Sequence, residues 1–138
     1  MSISYTLYIA SSADPSSVPA VLGGAGKMSG AKSSVANGPV VITAWRLGRL
    51  PGVAEENGIG AGLGVCFDLY LPELDEAKTV MVQDLAAVLS KLKGDAIFID
   101  LADRTVLRRK KTRLEVNRKA PLWTPDLLEL LPKPYNEF

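Results

Sequence analysis

The most informative segment of the sequence runs from Asp75 to Leu101 and reads DEAKTVMVQDLAAVLSKLKGDAIFIDL. Apolar residues recur in it at spacings of three and four, which predicts an amphipathic helix. They are Ala77, Val80, Met81, Leu85, Val88, Leu89 and Leu92. Asp75 suits the N-cap, because its carboxylate can accept from free backbone amides of the first turn. Gly94 suits the left-handed position that ends a helix, and Asp84 falls on the polar side.

Such a helix needs a sheet on which to lie, and the apolar run 96–101 follows at once as a predicted buried strand. Alternating or continuous apolar residues predict further strands at 3–9, 39–45, 63–71, 105–109 and 113–117. Shorter helices are expected after Ser16 or Ser17 and after Thr124, each of which offers a hydroxyl cap. The order β-α-β-β-α-β-β-β-α predicts a two-layer α+β fold, with a mainly antiparallel sheet and its helices on one face.

Composition predicts loops elsewhere. Residues 23–38 are rich in Gly, Ser, Ala and Lys, and 46–64 contain repeated glycines. The last residues, beyond Pro134, are expected to be loosely held. The length suits one domain over residues 1–138.

The composition also limits the chemistry. The net charge is +1, and the 138 residues include no histidine and one cysteine. These counts exclude histidine-based acid–base catalysis, cysteine metal clusters and an internal disulfide. The sequence shows no basic-apolar leader pattern and no apolar run of membrane length, so we expect a soluble cytoplasmic protein.

Candidate motifs are incomplete. The run Gly23–Lys27 lacks the first glycine and the final hydroxyl of a phosphate loop, and the glycines of 58–64 precede a strand rather than a helix. Cys66 has no histidine to activate it. The carboxylates near strands, including Asp68 and Asp100, show no catalytic spacing. We therefore expect no catalytic, cofactor-binding or metal-binding residues and no cofactor.

Half of the 16 basic residues cluster in one hairpin region. They are Arg104, Arg108, Arg109, Lys110, Lys111, Arg113, Arg118 and Lys119. They could contact nucleic-acid phosphates, solvate exposed strands and block edge pairing, or form a protein-binding surface. The lack of interleaved aromatic residues favours the second interpretation.

Several short motifs together resemble a known family. They are Ser4–Ala10, Gly64–Asp68, Leu92–Phe98, Thr105–Arg109, Leu114–Asn117, Trp123 and the closing Pro134-Tyr135. In this order they resemble the SitI3-like immunity proteins, which accompany swarming-inhibition toxins of myxobacteria and occur in actinobacteria. The insertion at 23–38 and the Lys110-Lys111 turn depart from the family pattern.

The resemblance implies a small cytoplasmic immunity protein that binds a cognate toxin and neutralises it without catalysis. The matched motifs are scaffold residues and carry over no contact residues. Our hypothesis for the contact surface combines the basic hairpin with the loop edge after the second predicted strand, at neighbouring strand ends. Its residues are Trp45, Arg46, Arg49, Arg104, Arg108, Arg109 and Arg113. The alternative is a small nucleic-acid-binding or regulatory module that uses the 104–119 hairpin.

Overall fold

The computed structural model describes residues 2–22, 27–29, 32–47 and 62–138. The strands in these ranges are β1 (Ser2–Ile9), β2 (Lys27–Ser29), β3 (Lys32–Asn37), β4 (Val40–Arg46), β5 (Leu63–Tyr70), β6 (Ala96–Ile99), β7 (Thr105–Lys110), β8 (Arg113–Val116) and β9 (Asn136–Glu137). The helices are α1 (Ser17–Val21), α2 (Leu74–Lys91) and α3 (Pro125–Leu128), and a 3₁₀ turn (Leu71–Glu73) precedes α2.

The strands form one sheet in the order β2-β3-β4-β5-β1-β6-β7-β8-β9. All pairs are antiparallel except β8–β9. Buried residues of the three helices join those of one sheet face in a single apolar cluster, which holds Phe67, Phe98 and Leu85. The predicted two-layer α+β fold, with a mainly antiparallel sheet and helices on one face, is therefore confirmed.

Helix α2 packs on the sheet through the predicted apolar face, but its start and the position of Asp84 differ from the prediction. Ala77, Met81, Leu85, Val88 and Leu89 are buried as expected. The helix begins at Leu74, however, and Glu73 rather than Asp75 stands at the N-cap, because the 3₁₀ turn leads straight into the helix. Asp84, predicted on the polar side, is also buried.

Strand β3 explains the burial of Asp84. Both Asp84 carboxylate oxygens accept from Asn37 Nδ2, at 3.1 and 2.9 Å. Burial raises the pKa of the Asp84 carboxyl, and the Asn37 bond opposes that rise. The Asn37 side chain of β3 reaches this part of the helix, where the residue predicted on the polar face is buried and paired.

Three further local expectations were wrong. Residues 23–38 contain β2 and β3, because β3 pairs with β4 on one side and with β2 on the other, which satisfies the backbone of a strand whose own composition is loop-like. Ser16 does stand at the N-cap of α1, but its side chain makes no cap bond and donates instead to Asp14. The C-terminal residues are held as β9, because β8 offers a free edge with which to pair.

Other expectations hold. Thr124 caps α3 by accepting from the Leu127 amide at 3.3 Å. Gly94 has φ +123°, and a Cβ there would lie 2.1 Å from the Ala10 carbonyl oxygen. Only glycine fits this close approach after α2. Most of the predicted connection 46–64 lies outside the described residues.

Candidate functional site

The sheet face opposite the helices is the candidate site, and we call it the open face. Its small buried cluster, Ile97 and Ile99 with Tyr8, Ala10 and Leu47 packed against it, contains no helix residue. The faces separate because side chains alternate along each strand. Leu63, Val65, Phe67 and Leu69 of β5 pack toward the helices, so the residues between them point to the open face.

The strand register aligns one row of open-face residues across seven strands, from β3 to β8. We call it the aromatic row. It comprises Lys32, Trp45, Gly64, Tyr8, Ile97, Arg108 and Glu115. Its ends are charged and its middle is aromatic or aliphatic.

Gly64 seats the Trp45 indole. A Cβ at Gly64 would lie 2.6 Å from Trp45 Cε2 and Cζ2, so the indole lies directly against the glycine backbone. An aromatic side chain that covers a glycine on the neighbouring strand stabilises both strands. Trp45 is therefore fixed in position, and its side chain is partly exposed to solvent.

The opposite end of the aromatic row is also ordered. Arg108 Nε donates to Glu115 Oε1 at 2.9 Å. Its guanidinium lies 3.9 Å from the centroid of the Phe138 ring, a cation–π contact. Phe138 in turn is held by a bond of 2.9 Å from its amide to the Val116 carbonyl.

The next open-face row is polar. Ser34, Thr43, Cys66 and Thr6 pair across β3, β4, β5 and β1. Burial, and then the nearby Asp68 charge, raise the pKa of the Cys66 thiol. A raised pKa disfavours the nucleophilic form of cysteine, the thiolate.

A third row holds Ala36, Val41, Asp68 and Ser4. The Ser4 hydroxyl donates to the Asp68 carboxylate, and the Cys66 Sγ lies 3.9 Å from Asp68 Oδ1. Val41 and the next open-face residue of β5, Tyr70, are 45% and 50% exposed.

The hypothesised contact residues separate into different environments. Trp45 and Arg108 share the aromatic row, but four interstrand spacings, about 19 Å, lie between their strands. They therefore do not lie at neighbouring strand ends, because β5, β1 and β6 intervene. Arg46 points away from this face and donates to the carbonyls of Ser12 and Ala13, at 3.5 and 3.2 Å. Arg49 lies outside the described residues.

Arg109 faces the helix layer and ends α2. Its guanidinium donates to the carbonyls of Gly94, Leu89 and Leu92 at 2.9, 2.6 and 2.7 Å. The bonds to Leu89 and Leu92 satisfy carbonyls that a helix end leaves without intrahelical partners, and the bond to Gly94 holds the chain just after the helix. Arg109 therefore has a structural position, and we leave it out of any contact surface.

The other hairpin arginines are solvent-facing to different degrees. Arg104 pairs with Asp100 at 3.7 Å and Arg118 with Glu137 at 2.7 Å. Arg113 is exposed and joins Lys110, Lys111 and Asp95 in lining a groove of about 570 Å³. The basic hairpin is thus a mixed-charge surface.

Trp123, the second tryptophan, packs against the core, and its Nε1 donates to the Val106 carbonyl at 2.9 Å.

Sequence reasoning did not select Tyr8, Val41, Asp68 or Tyr70 as site residues. The signal for them was the alternation of β1, β4 and β5, which places each on the face opposite the core residues.

Among the residues that the structure describes, no group of three or more Cys, Asp or Glu side chains is arranged to hold a metal ion. None of the described helices combines the length and the apolar character that crossing a membrane requires. Comparisons with protein-family models, curated proteins and solved structures found no match to this chain.

Proposed function

We propose that this protein is a cytoplasmic immunity protein that binds a cognate bacterial toxin and neutralises it by protein–protein contact, without catalysis. The observation that carries the proposal is the open face with its aromatic row. Tryptophan, tyrosine and arginine are the residues most enriched at binding hot spots. The resemblance of the sequence to immunity proteins supports the same conclusion.

The size of the open face supports a role in protein binding. From β3 to β8 the sheet spans six interstrand spacings, about 29 Å. A standard interface buries about 800 Å² per partner, which corresponds to a square of about 28 Å. One toxin surface of ordinary size would therefore cover the aromatic row from end to end.

The order of the open-face side chains favours tight binding. Trp45 is seated on Gly64, and Arg108 is held by Glu115 and Phe138. Side chains that are fixed before binding lose less conformational entropy when a partner covers them. We place Trp45 and Arg108 within the contact surface and Arg104 and Arg113 at its rim.

The nucleic-acid alternative has less support. Arg104, Arg108 and Arg118 each face a carboxylate, and Arg109 is occupied by helix carbonyls. A polyanion would have to compete for these groups. That alternative predicts an affinity that falls steeply as salt concentration rises.

The test is co-expression with the protein encoded by the adjacent reading frame, followed by nuclease-treated pull-down and a growth-rescue assay. We expect a stoichiometric, salt-resistant complex that restores growth. Absence of both complex and rescue for the wild-type chain would overturn the proposed function.

Two variants test the surface itself. The double variant Arg108→Glu with Glu115→Arg keeps the internal ion pair and reverses the charge order at the end of the aromatic row. Thr43→Arg adds a bulky charge to the neighbouring polar row, on the same strand as Trp45. Gln83→Arg, on the exposed side of α2, is the matched control. We expect the open-face variants to weaken binding at least about tenfold and the control to bind as wild type. Equal binding by all three would move the contact surface elsewhere and leave the immunity function standing.

A further inference from the structure

We infer that the open face holds a receptor for an arginine side chain of the partner protein, built from Asp68, Tyr70, Val41 and Glu73. The inference rests on the proposed function, because it specifies the chemistry of the toxin segment that binds. A trough of about 630 Å³ at one end of the open face carries it. The trough is lined by Gly38, Pro39, Val41, Asp68, Tyr70 and Glu73.

Asp68 supplies a carboxylate that makes no ion pair with another described residue. It is half-buried in mid-strand, and among the described residues none of the ion pairs includes it. Its only close donors there are the Ser4 hydroxyl and, at 3.9 Å, the Cys66 thiol. A carboxylate in this setting gains most from a cation that arrives with the partner.

Tyr70 and Val41 supply the apolar part of the trough. They are large hydrophobic residues, yet Tyr70 is 50% and Val41 45% exposed to solvent. Tyr70 follows Asp68 by two residues in β5 and so lies on the same face, about 7 Å along the strand. Val41 lies directly opposite Asp68 on β4.

A carboxylate beside an aromatic ring and an apolar side chain suits arginine better than lysine. The guanidinium can bind a carboxylate through two parallel bonds and also stack on an aromatic ring, whereas the lysine ammonium acts as a compact point charge. The aliphatic stem of arginine can cover Val41. Glu73, exposed at the rim, adds a second negative charge and disfavours a phosphate-bearing ligand.

A second trough extends the receptor toward Trp45. It has a volume of about 490 Å³, shares Asp68 with the first, and ends at Lys32 and Trp45. The partner segment would therefore run from an arginine at Asp68 toward an apolar residue beside the Trp45 indole. Lys32 at that end favours an acidic or neutral residue there rather than a second cation.

The first test needs no toxin. The full chain, labelled with ¹⁵N, is titrated with the capped peptide acetyl-Leu-Arg-Leu-amide and followed by amide chemical shifts. The control peptide replaces arginine by citrulline, which has nearly the same shape and no charge. We expect saturable shifts at Val41, Asp68 and Tyr70, with affinity at least about tenfold weaker for the citrulline peptide.

Two protein variants accompany this titration. Asp68→Asn keeps the side-chain size and an oxygen that can accept a hydrogen bond from Ser4. We expect it to bind the arginine peptide with an affinity at least about tenfold lower than wild type. Tyr70→Ala, at an exposed position, should lower the affinity for the arginine peptide several-fold without affecting the fold. Absence of shifts at the trough, or equal affinity for both peptides or for wild type and Asp68→Asn, would overturn the arginine receptor.

The toxin complex separates this inference from the proposed function. If wild type binds the toxin and Asp68→Lys binds it equally well, the receptor is wrong and the immunity function stands. If wild type neither binds nor rescues, the immunity function fails, and the peptide titration still decides whether the trough binds arginine.

Discussion

Replacing Arg109 by glutamine should destabilise the fold far more than the same change at any other arginine of the basic hairpin. The Arg109 guanidinium joins β7 to the end of α2 by three bonds, of 2.6, 2.7 and 2.9 Å, to the carbonyls of Leu89, Leu92 and Gly94. Glutamine is too short to reach them, so three half-buried acceptors would lose their donor.

The magnitude follows from those bonds. A hydrogen bond to a charged group contributes about 1.5–3 kcal/mol, and a cation near a helix C-terminus contributes about 0.3–1 kcal/mol more. The three bonds share one side chain that is only half-buried, so their contributions do not add fully. We expect the free energy of unfolding to fall by about 3–4 kcal/mol, which lowers Tm by about 10–14 °C for a chain of this length.

Urea denaturation followed by circular dichroism measures this loss, together with a thermal melt. Arg113→Gln is the matched control, because Arg113 is exposed in the same hairpin and should change stability by no more than about 0.5 kcal/mol. Arg109→Lys keeps a charge that can reach one carbonyl and should fall between the two. A loss below about 1 kcal/mol for Arg109→Gln, or a loss equal to that of Arg113→Gln, would refute the assigned role of this side chain.

Two further predictions concern Gly64 and Asp84. Gly64→Ala would place its Cβ 2.6 Å from the Trp45 ring. We therefore expect the free energy of unfolding to fall by about 1–3 kcal/mol and the tryptophan fluorescence to change. The same substitution in a Trp45→Ala background should cost less stability, and an equal cost would contradict the contact between the indole and Gly64. Because burial raises the pKa of Asp84 in the folded state, the folded chain binds more protons than the unfolded chain just above the ordinary carboxyl pKa, and stability falls as pH rises through that interval. Asp84→Asn should remove this fall, which urea unfolding between pH 3.5 and 7 would measure; parallel stability curves for the two proteins would contradict it.

Much of the fold could be predicted from local pattern. The apolar spacing of α2, the alternation of β1 and β5, the Thr124 cap and the left-handed Gly94 each depend on residues close in sequence. Those signals predict elements directly, because side-chain periodicity and backbone steric limits act within a few residues.

The sequence did not reveal β3 or the edge strand β9. The composition of β3 is that of a loop, and β9 follows two prolines. Each exists because a neighbouring strand offers unpaired backbone groups, and that neighbour is determined only when the chain is folded. The burial of Asp84 by Asn37 has the same origin.

For the candidate site, the amino-acid composition was enough to show which residue types are available: no histidine, one cysteine and a cluster of arginines. The tertiary structure decided what each of them does. It turned Arg109 toward the helix, paired Arg108 with Glu115, and separated Trp45 from the hairpin by three strands. Across β4, β5, β1 and β6, strand register joins residues that are far apart in the chain and places their side chains beside one another on a sheet face. That pairing forms only when the chain folds, so the pattern within one strand does not specify it.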